Sequence, residues 1–137
     1  MLLLDRQGWR AGPAVALVPY VEFDPAGDAR AVLITNTVPA AELLAVQDRL
    51  DLIAIEFPKF SDGRGFSIAR ALRTQGYRGT LRATGYLIPD QFAFALECGF
   101  DEVEIGEEQA ARQPIEQWLE ALTFITASYR PVRRRTA

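Results

Sequence analysis

The sequence has no histidine, a single cysteine, and one lysine among its fifteen basic residues. Each shortage removes a class of mechanism. Without histidine, neither a Ser-His-Asp triad nor a Cys-His pair can be assembled within the chain. One thiol, Cys98, leaves no internal disulfide, no four-cysteine zinc site and no iron–sulfur cluster held by the chain's own cysteines. Redox chemistry would need a borrowed cofactor or partner. A large charge of one sign is also missing. The net charge of -3 gives no general attraction to nucleic acid. No apolar run approaches the ~18 residues of a membrane-spanning helix. Met1 to Leu4 is too short for a signal-peptide core and has no basic start. A cytoplasmic protein that binds neither membrane nor nucleic acid is the expectation.

What remains is a globular composition, with 49% hydrophobic and 24% charged residues. Its 137 residues suit a single domain able to bury its own core. The patterning divides that domain into an N-terminal segment (1–30), a repetitive body (31–129) and a basic tail (130–137). In the first segment, Leu2–Leu4 and Val15–Val18 suggest short strands ended by Gly8 and Pro19, and Asp24-Pro25-Ala26-Gly27 is a turn signal. Irregular β structure or a hairpin is expected there. The tail holds four arginines between Arg130 and Arg135. It reads either as a solvated end or as a docking arm for an acidic partner or nucleic acid.

The body reads as four strand-then-helix repeats. Ala31–Thr35, Leu52–Phe57, Thr80–Gly85 and Glu102–Ile105 are the expected strands. The expected helices are Pro39–Leu50, with Leu43, Val46 and Leu50 on one face, and Phe66–Gln75, closed by Gly76. A third runs from an Asp90 cap to Cys98, closed by Gly99. A last helix begins at Pro114 and carries the stripe Ile115, Trp118, Leu119, Leu122 and Ile125. Such alternation implies a parallel sheet with right-handed crossovers, an α/β fold. A doubly wound, flavodoxin-like sheet has strands that are apolar throughout. Here Leu81 and Ala83 alternate with Arg82 and Thr84, and Val103 and Ile105 with Glu102 and Glu104. One face is apolar and the other carries Glu56, Arg82 and Glu104. That pattern favours helices on one side only, as in half of a (β/α)8 barrel. The edges and polar face of such a sheet would still need cover, from residues 1–30 or a second copy of the chain, so a symmetric homodimer is expected.

The densest chemistry lies in Asp51–Ser67, DLIAIEFPKFSDGRGFS: a strand, a polar loop and a helix start. This is the layout in which parallel α/β proteins place their sites. Lys59, the sole lysine, reads as an anion ligand or a base, or as an ordinary surface charge. Asp62-Gly63-Arg64-Gly65 directly precedes the helix. Free amides at a helix start attract anions, glycines let a ligand approach, and Arg64 can clamp an oxyanion with two parallel bonds. The alternative is a turn in which Asp62 caps the helix or pairs with Arg64. The expected anion-binding set is Lys59, Asp62, Gly63, Arg64, Gly65 and Arg82, with Lys59 and Glu56 as candidate bases. Glu56, Arg82 and Glu104 read either as a catalytic trio or as an ion-pair network. A dinucleotide fingerprint is matched only weakly. Ile68 stands where its third glycine belongs, and Pro58–Asp62 intrudes where a tight turn is needed. No metal or cofactor site is read from the residues, and Cys98 reads as a buried, inert thiol.

The segments EFPKFSDGRGFSIARALR, GTLRATG, PDQFAFALECGF and DEVEI resemble a bacterial family called domain of unknown function 934. The likeness runs from about Asn36 to Ile105, and its most specific part is FPKFSDGRG. The sequence departs from the family pattern at Tyr86, where a carboxylate is expected, and at Pro89, where an arginine is. Members are commonly labelled as oxidoreductases involved in sulfite reduction. The resemblance implies an accessory role in sulfur assimilation, with a small oxyanion or a partner enzyme bound at the loop. A cofactor-dependent oxidoreductase using a nucleotide or flavin, and a non-catalytic scaffold, are the competing readings.

Overall fold

The computed structural model describes residues 2–11, 16–114 and 116–120. Its strands are β1 (Leu2–Asp5), β2 (Gly8–Ala11), β3 (Val18–Pro19), β4 (Ala31–Ile34), β5 (Leu52–Phe57), β6 (Thr80–Gly85) and β7 (Glu102–Ile105). Helices α1 (Ala40–Leu44), α2 (Arg64–Thr74), α3 (Phe92–Cys98) and α4 (Glu107–Arg112) follow β4, β5, β6 and β7 in turn. The four βα units expected from the patterning are therefore present. All strands join one sheet in the order β2-β1-β7-β6-β5-β4-β3. From β3 to β7 the strands are parallel and lie in chain order. A doubly wound sheet reverses its strand order part-way. This one does not, and the half-barrel reading is the one it follows. Among the described residues no helix is long and apolar enough to cross a membrane.

Alternation along the strands sorts the two faces. Val32, Ile34, Ile53, Ile55, Phe57, Leu81, Ala83, Val103 and Ile105 share one buried cluster with Leu43, Phe66, Ala69, Leu72, Phe92 and Leu96 of the helices. Each such aliphatic or aromatic side chain contributes roughly 1.5–3 kcal/mol when fully buried. The opposite face carries Ala31, Leu52 and Ala54 and, beside them on β6 and β7, Arg82 and Glu102, all buried. A cleft of about 540 Å³ lies there, lined by this face and by Ala16, Val18 and Asp28–Arg30.

The N-terminal segment does more than close one edge. β1 and β2 form a hairpin, and β1 lies antiparallel against β7. On the other side β3 adds a parallel strand beside β4. β1 and β3 thus reach the two edges of the βα body. Gly8 opens β2 with φ +127 rather than ending the first strand. The edge left by β3 is two residues long and ends in a proline, a geometry that discourages further pairing.

Two helices differ from expectation. Pro39–Leu50 is not continuous: α1 ends at Leu44, and a single tight turn, Gln47–Arg49, follows. Val46 stands between them with φ -122, outside the helical region. Leu43 and Leu50 are nonetheless both buried, so the apolar spacing is met by two short turns instead of one helix. The Asp90 cap is also replaced. Pro89–Gln91 forms a short turn, and α3 starts after it at Phe92. Helix α4, which has no apolar stripe, was not anticipated. Residues 116–120 are helical, and Trp118 is buried edge-on against Phe92, ring centroids 6.1 Å apart. Val15, Ile115, Leu122, Ile125 and the basic tail lie outside the described residues.

The connections beneath the sheet converge on Arg73, in the last turn of α2. Its Nε donates to the Gly99 carbonyl at 2.9 Å, and Nη1 to the Tyr77 and Gly79 carbonyls, each at 2.9 Å. Nη2 meets Asp101 Oδ2 at 2.8 Å. The same carboxylate accepts the amide of Leu81, the second residue of β6. Both side chains of the pair are 8% exposed. Gly99, at φ +114, ends α3 in the left-handed region, and a Cβ there would run into the Arg73 stem. Removing one partner of a buried pair leaves the other charge uncompensated, at a cost of about 3–5 kcal/mol. Arg73→Ala should lose about that much in urea denaturation. Arg73→Lys, which keeps the charge but not the planar fork, should fall between it and the wild type.

Candidate functional site

In a parallel sheet the loops after the strands gather at one edge, and ligands are bound there. β5 delivers the FPKFSDGRG loop to that edge. Phe57, the last residue of β5, points into the core, with its ring centroid 4.8 Å from Phe66 and 5.8 Å from Phe100. The loop then leaves the core. Lys59 is exposed, and the Lys59 carbonyl accepts the Asp62 amide at 3.1 Å to close a turn. Gly63 caps α2 with an ordinary φ of -89.

The two glycines, taken together in the sequence, have different roles. A Cβ on Gly63 would find only Phe66, at 3.7 Å. A Cβ on Gly65 would sit 2.5 Å from the Phe57 ring. Gly65 is buried and lets α2 pack against β5. Gly85 repeats the device from β6. It holds φ +100 directly over the Phe57 carbonyl, which accepts the Tyr86 amide at 2.8 Å.

Asp62 and Arg64 form a compact unit. Arg64 Nη2 donates to Asp62 Oδ2 at 2.7 Å, and Nε to Oδ1 at 3.0 Å. The Arg64 backbone amide, at the start of α2, donates to Oδ1 at 3.2 Å. The Arg64 side chain is 62% exposed and that of Asp62 19%. The Arg64 guanidinium foremost, then the amide, hold the Asp62 carboxyl far below the usual carboxylate range. Asn36, just past β4, also lowers it, so its side chain lies beside that carboxylate. Yet Asn36 is buried and its Nδ2 meets no partner in hydrogen-bond geometry.

Arg82 is not brought to the loop. It sits three residues before the end of β6, roughly 10 Å short of that edge. Its Nε meets Glu102 Oε2 at 2.7 Å, and its Nη1 lies 3.8 Å from Glu104 Oε1. Both Arg82 and Glu102 are buried on the face away from the helices. Strand register puts Glu56 opposite Thr84, one step further along, and Glu56 is exposed. Of the two readings of the trio, an ion-pair network describes Arg82 and Glu104, with Glu102 as the main partner and Glu56 outside it.

A cleft of about 710 Å³ opens beside the loop, over the ends of β6 and β7. Phe60 from the loop and Tyr86 after β6 line it, 55% and 65% exposed. Glu104, Glu108, Gln109 and Arg112 supply polar groups. Two glutamines fix its walls. Gln91 Nε2 donates to the Phe60 carbonyl at 2.6 Å while its Oε1 accepts the Ile88 amide. Gln109 donates to the Leu87 carbonyl and ties α4 down. Cys98 is remote from this edge. Burial foremost pushes its thiol pKa up, against the opposing contact of Arg70 Nη2 at 3.4 Å. No cluster of three or more potential metal ligands occurs among the described residues.

Residues 31–137 match the family described as bacterial protein of unknown function, DUF934. The chain belongs to this family. The match begins at β4 and covers all four βα units, a longer span than the segments that carried the resemblance. No curated protein and no solved structure matches the chain.

Three elements of the site in this DUF934 member lie beyond the sequence reading. Asn36 gave no signal, since one asparagine after a strand is common turn chemistry. Gln91 and Gln109 are neutral and act through backbone carbonyls, which periodicity cannot show. Phe60 and Phe66 are the same residue type six positions apart, yet one faces solvent and the other is buried.

Two outcomes follow from this geometry. Gly65→Ala should lose about 1–3 kcal/mol of stability by overpacking against Phe57, while Gly63→Ala stays close to wild type in thermal melting. Because the folded-state pKa of Asp62 is lowered, its contribution to stability is present above its unfolded value and lost as pH falls through the folded one. Carboxyl carbon NMR should therefore show Asp62 still ionised where other aspartates have protonated. Arg64→Ala should return it toward the ordinary range.

Proposed function

We propose that the chain is an accessory protein of sulfur assimilation that binds a small oxyanion at the FPKFSDGRG loop. The observation that supports this is an accumulation of donors at the ligand-binding edge of a parallel sheet. The exposed Lys59 ammonium, the exposed Arg64 guanidinium and the N-terminus of the eleven-residue α2 lie on one short loop. Backbone amides and a forked guanidinium suit the tetrahedral or pyramidal oxygens of sulfate and sulfite. The sulfur context comes from the sulfite-reduction label that members of the resembling family carry. Reduction of sulfite by this chain alone is not part of the proposal, because one cysteine and no histidine cannot ligate the haem and cluster such chemistry uses. Arg82, engaged by Glu102, is left out of the binding set.

A second reading rests on Phe60 and Tyr86. Two large aromatics held out of a well-packed core at the same cleft suit a protein partner. Under it, the loop would present the oxyanion to, or sense it beside, a sulfite-reducing enzyme. Phe60→Ser should then weaken association with that enzyme in surface plasmon resonance and leave anion binding intact.

Calorimetry with sulfite, sulfate and adenylyl sulfate tests the oxyanion reading. Binding of at least one is expected, with Arg64→Ala reducing it at least tenfold. Silence with all three removes the proposal.

A further inference from the structure

The cleft over the ends of β6 and β7 holds two aromatic side chains that the rest of the molecule does not use. Among the described aromatic residues, every other one meets a second ring or, for Tyr77, the Arg73 guanidinium. Phe60 and Tyr86 meet neither, and both are exposed. They line the same cleft, whose volume of about 710 Å³ suits a small organic ligand. Both are held by their backbones. Gln91 donates to the Phe60 carbonyl, and the Tyr86 amide donates to the Phe57 carbonyl.

Helix α4 brings charge of both signs to this cleft. Glu108 and Arg112 are four residues apart on one face of the helix, with Cβ atoms roughly 5–6 Å apart. That spacing ordinarily lets two such side chains pair. Here both line the cleft, and neither makes an ion pair among the described residues. The other charged lining group, Glu104, is answered from within the sheet by Arg82 Nη1 at 3.8 Å. Gln109 donates to the Leu87 carbonyl and so anchors the turn that carries the open charges. A ligand of one sign would be attracted by one of these charges and repelled by the other. A zwitterion answers both.

We propose that the cleft binds a free α-amino acid with a large apolar side chain: Arg112 takes its carboxylate, Glu108 its ammonium, and Phe60 and Tyr86 its side chain. An α-amino acid carries both charges on one carbon, and its head group spans the gap between two side chains one helical turn apart. A guanidinium fork on a carboxylate is a strong, charge-assisted contact. Aromatic faces accept a thioether or a second ring. The proposal goes beyond the oxyanion reading and does not depend on it, since Lys59 and Arg64 are outside the cleft lining. Phe60 also carries the partner reading, so the deciding variants are those on α4.

The test is titration of the full chain with L-methionine and L-phenylalanine, followed by calorimetry and by amide NMR. Saturable binding of at least one is expected, with shifts in the amides of Tyr86, Leu87, Glu108 and Arg112. L-Alanine, which lacks the apolar body, should bind more weakly by roughly tenfold or more. So should the N-acetyl and the amide derivatives of the tighter ligand, each of which lacks one charge. Glu108→Gln and Arg112→Gln should each weaken binding to the same degree while the melting temperature stays at the wild-type value, since both residues are exposed. Glu107→Gln, on the same helix but outside the cleft lining, should leave binding unchanged. Absence of saturable binding by both amino acids overturns the proposal and leaves the sulfate and sulfite titrations to decide the oxyanion reading separately. Equal affinity for L-alanine overturns the role of the two rings. Undiminished binding of a singly charged derivative, or of the amino acid by Arg112→Gln, overturns the assignment to a zwitterion.

Discussion

One guanidinium fixes the lower half of this molecule. Arg73 gathers the turn after α2, the end of α3 and the Asp101 carboxylate that receives the start of β6. A parallel sheet built from consecutive βα units has no hairpins to set the register of its strands. Something else must fix how far each strand slides along its neighbour. The Arg73–Asp101 pair does this for β6, and Tyr77 extends it by donating to the Leu50 carbonyl just before β5. The upper edge can then be given over to loops whose side chains face solvent, because strand position is settled from below.

The division of labour between the two edges explains what was legible in the sequence. The strands were, since Arg82 against Leu81 and Glu104 against Val103 alternate as a two-faced sheet requires. The one-sided placement of helices followed from that alternation. The α1 region was not, because Leu43, Val46 and Leu50 satisfy a helical period equally well as one helix or as two short turns. Helix α4 was invisible for the opposite reason: EEQAAR contains no apolar stripe to detect. Arg73 itself reads in sequence as one more arginine on a helix. Its bonds go to backbone carbonyls far along the chain, and such bonds leave no local pattern.

At the loop the sequence located a dense constellation, and the structure divides it by role. Gly65 and Gly85 are packing glycines that let backbone and helix close over Phe57. Lys59, Asp62 and Arg64 remain at the surface. Arg82 and Glu102 belong to the opposite face, where their pairing keeps two charges tolerable beneath the sheet. Arg82 reads in sequence as part of the polar face of its strand, and its pairing with Glu102 lies away from the loop end of β6.

The sheet order also constrains how the chain comes together. Each unit from β4 onward can dock on the one before it, in the order of synthesis, with short loops to close. The β1–β2 hairpin precedes the βα units in the chain but pairs with the last strand, Leu3 facing Glu104. Its seat does not exist until β7 is in place. Until then the hairpin pairs only with itself, and the free edge of β1 stays open to other chains. The hairpin therefore acts as a latch, closing after the βα units have assembled.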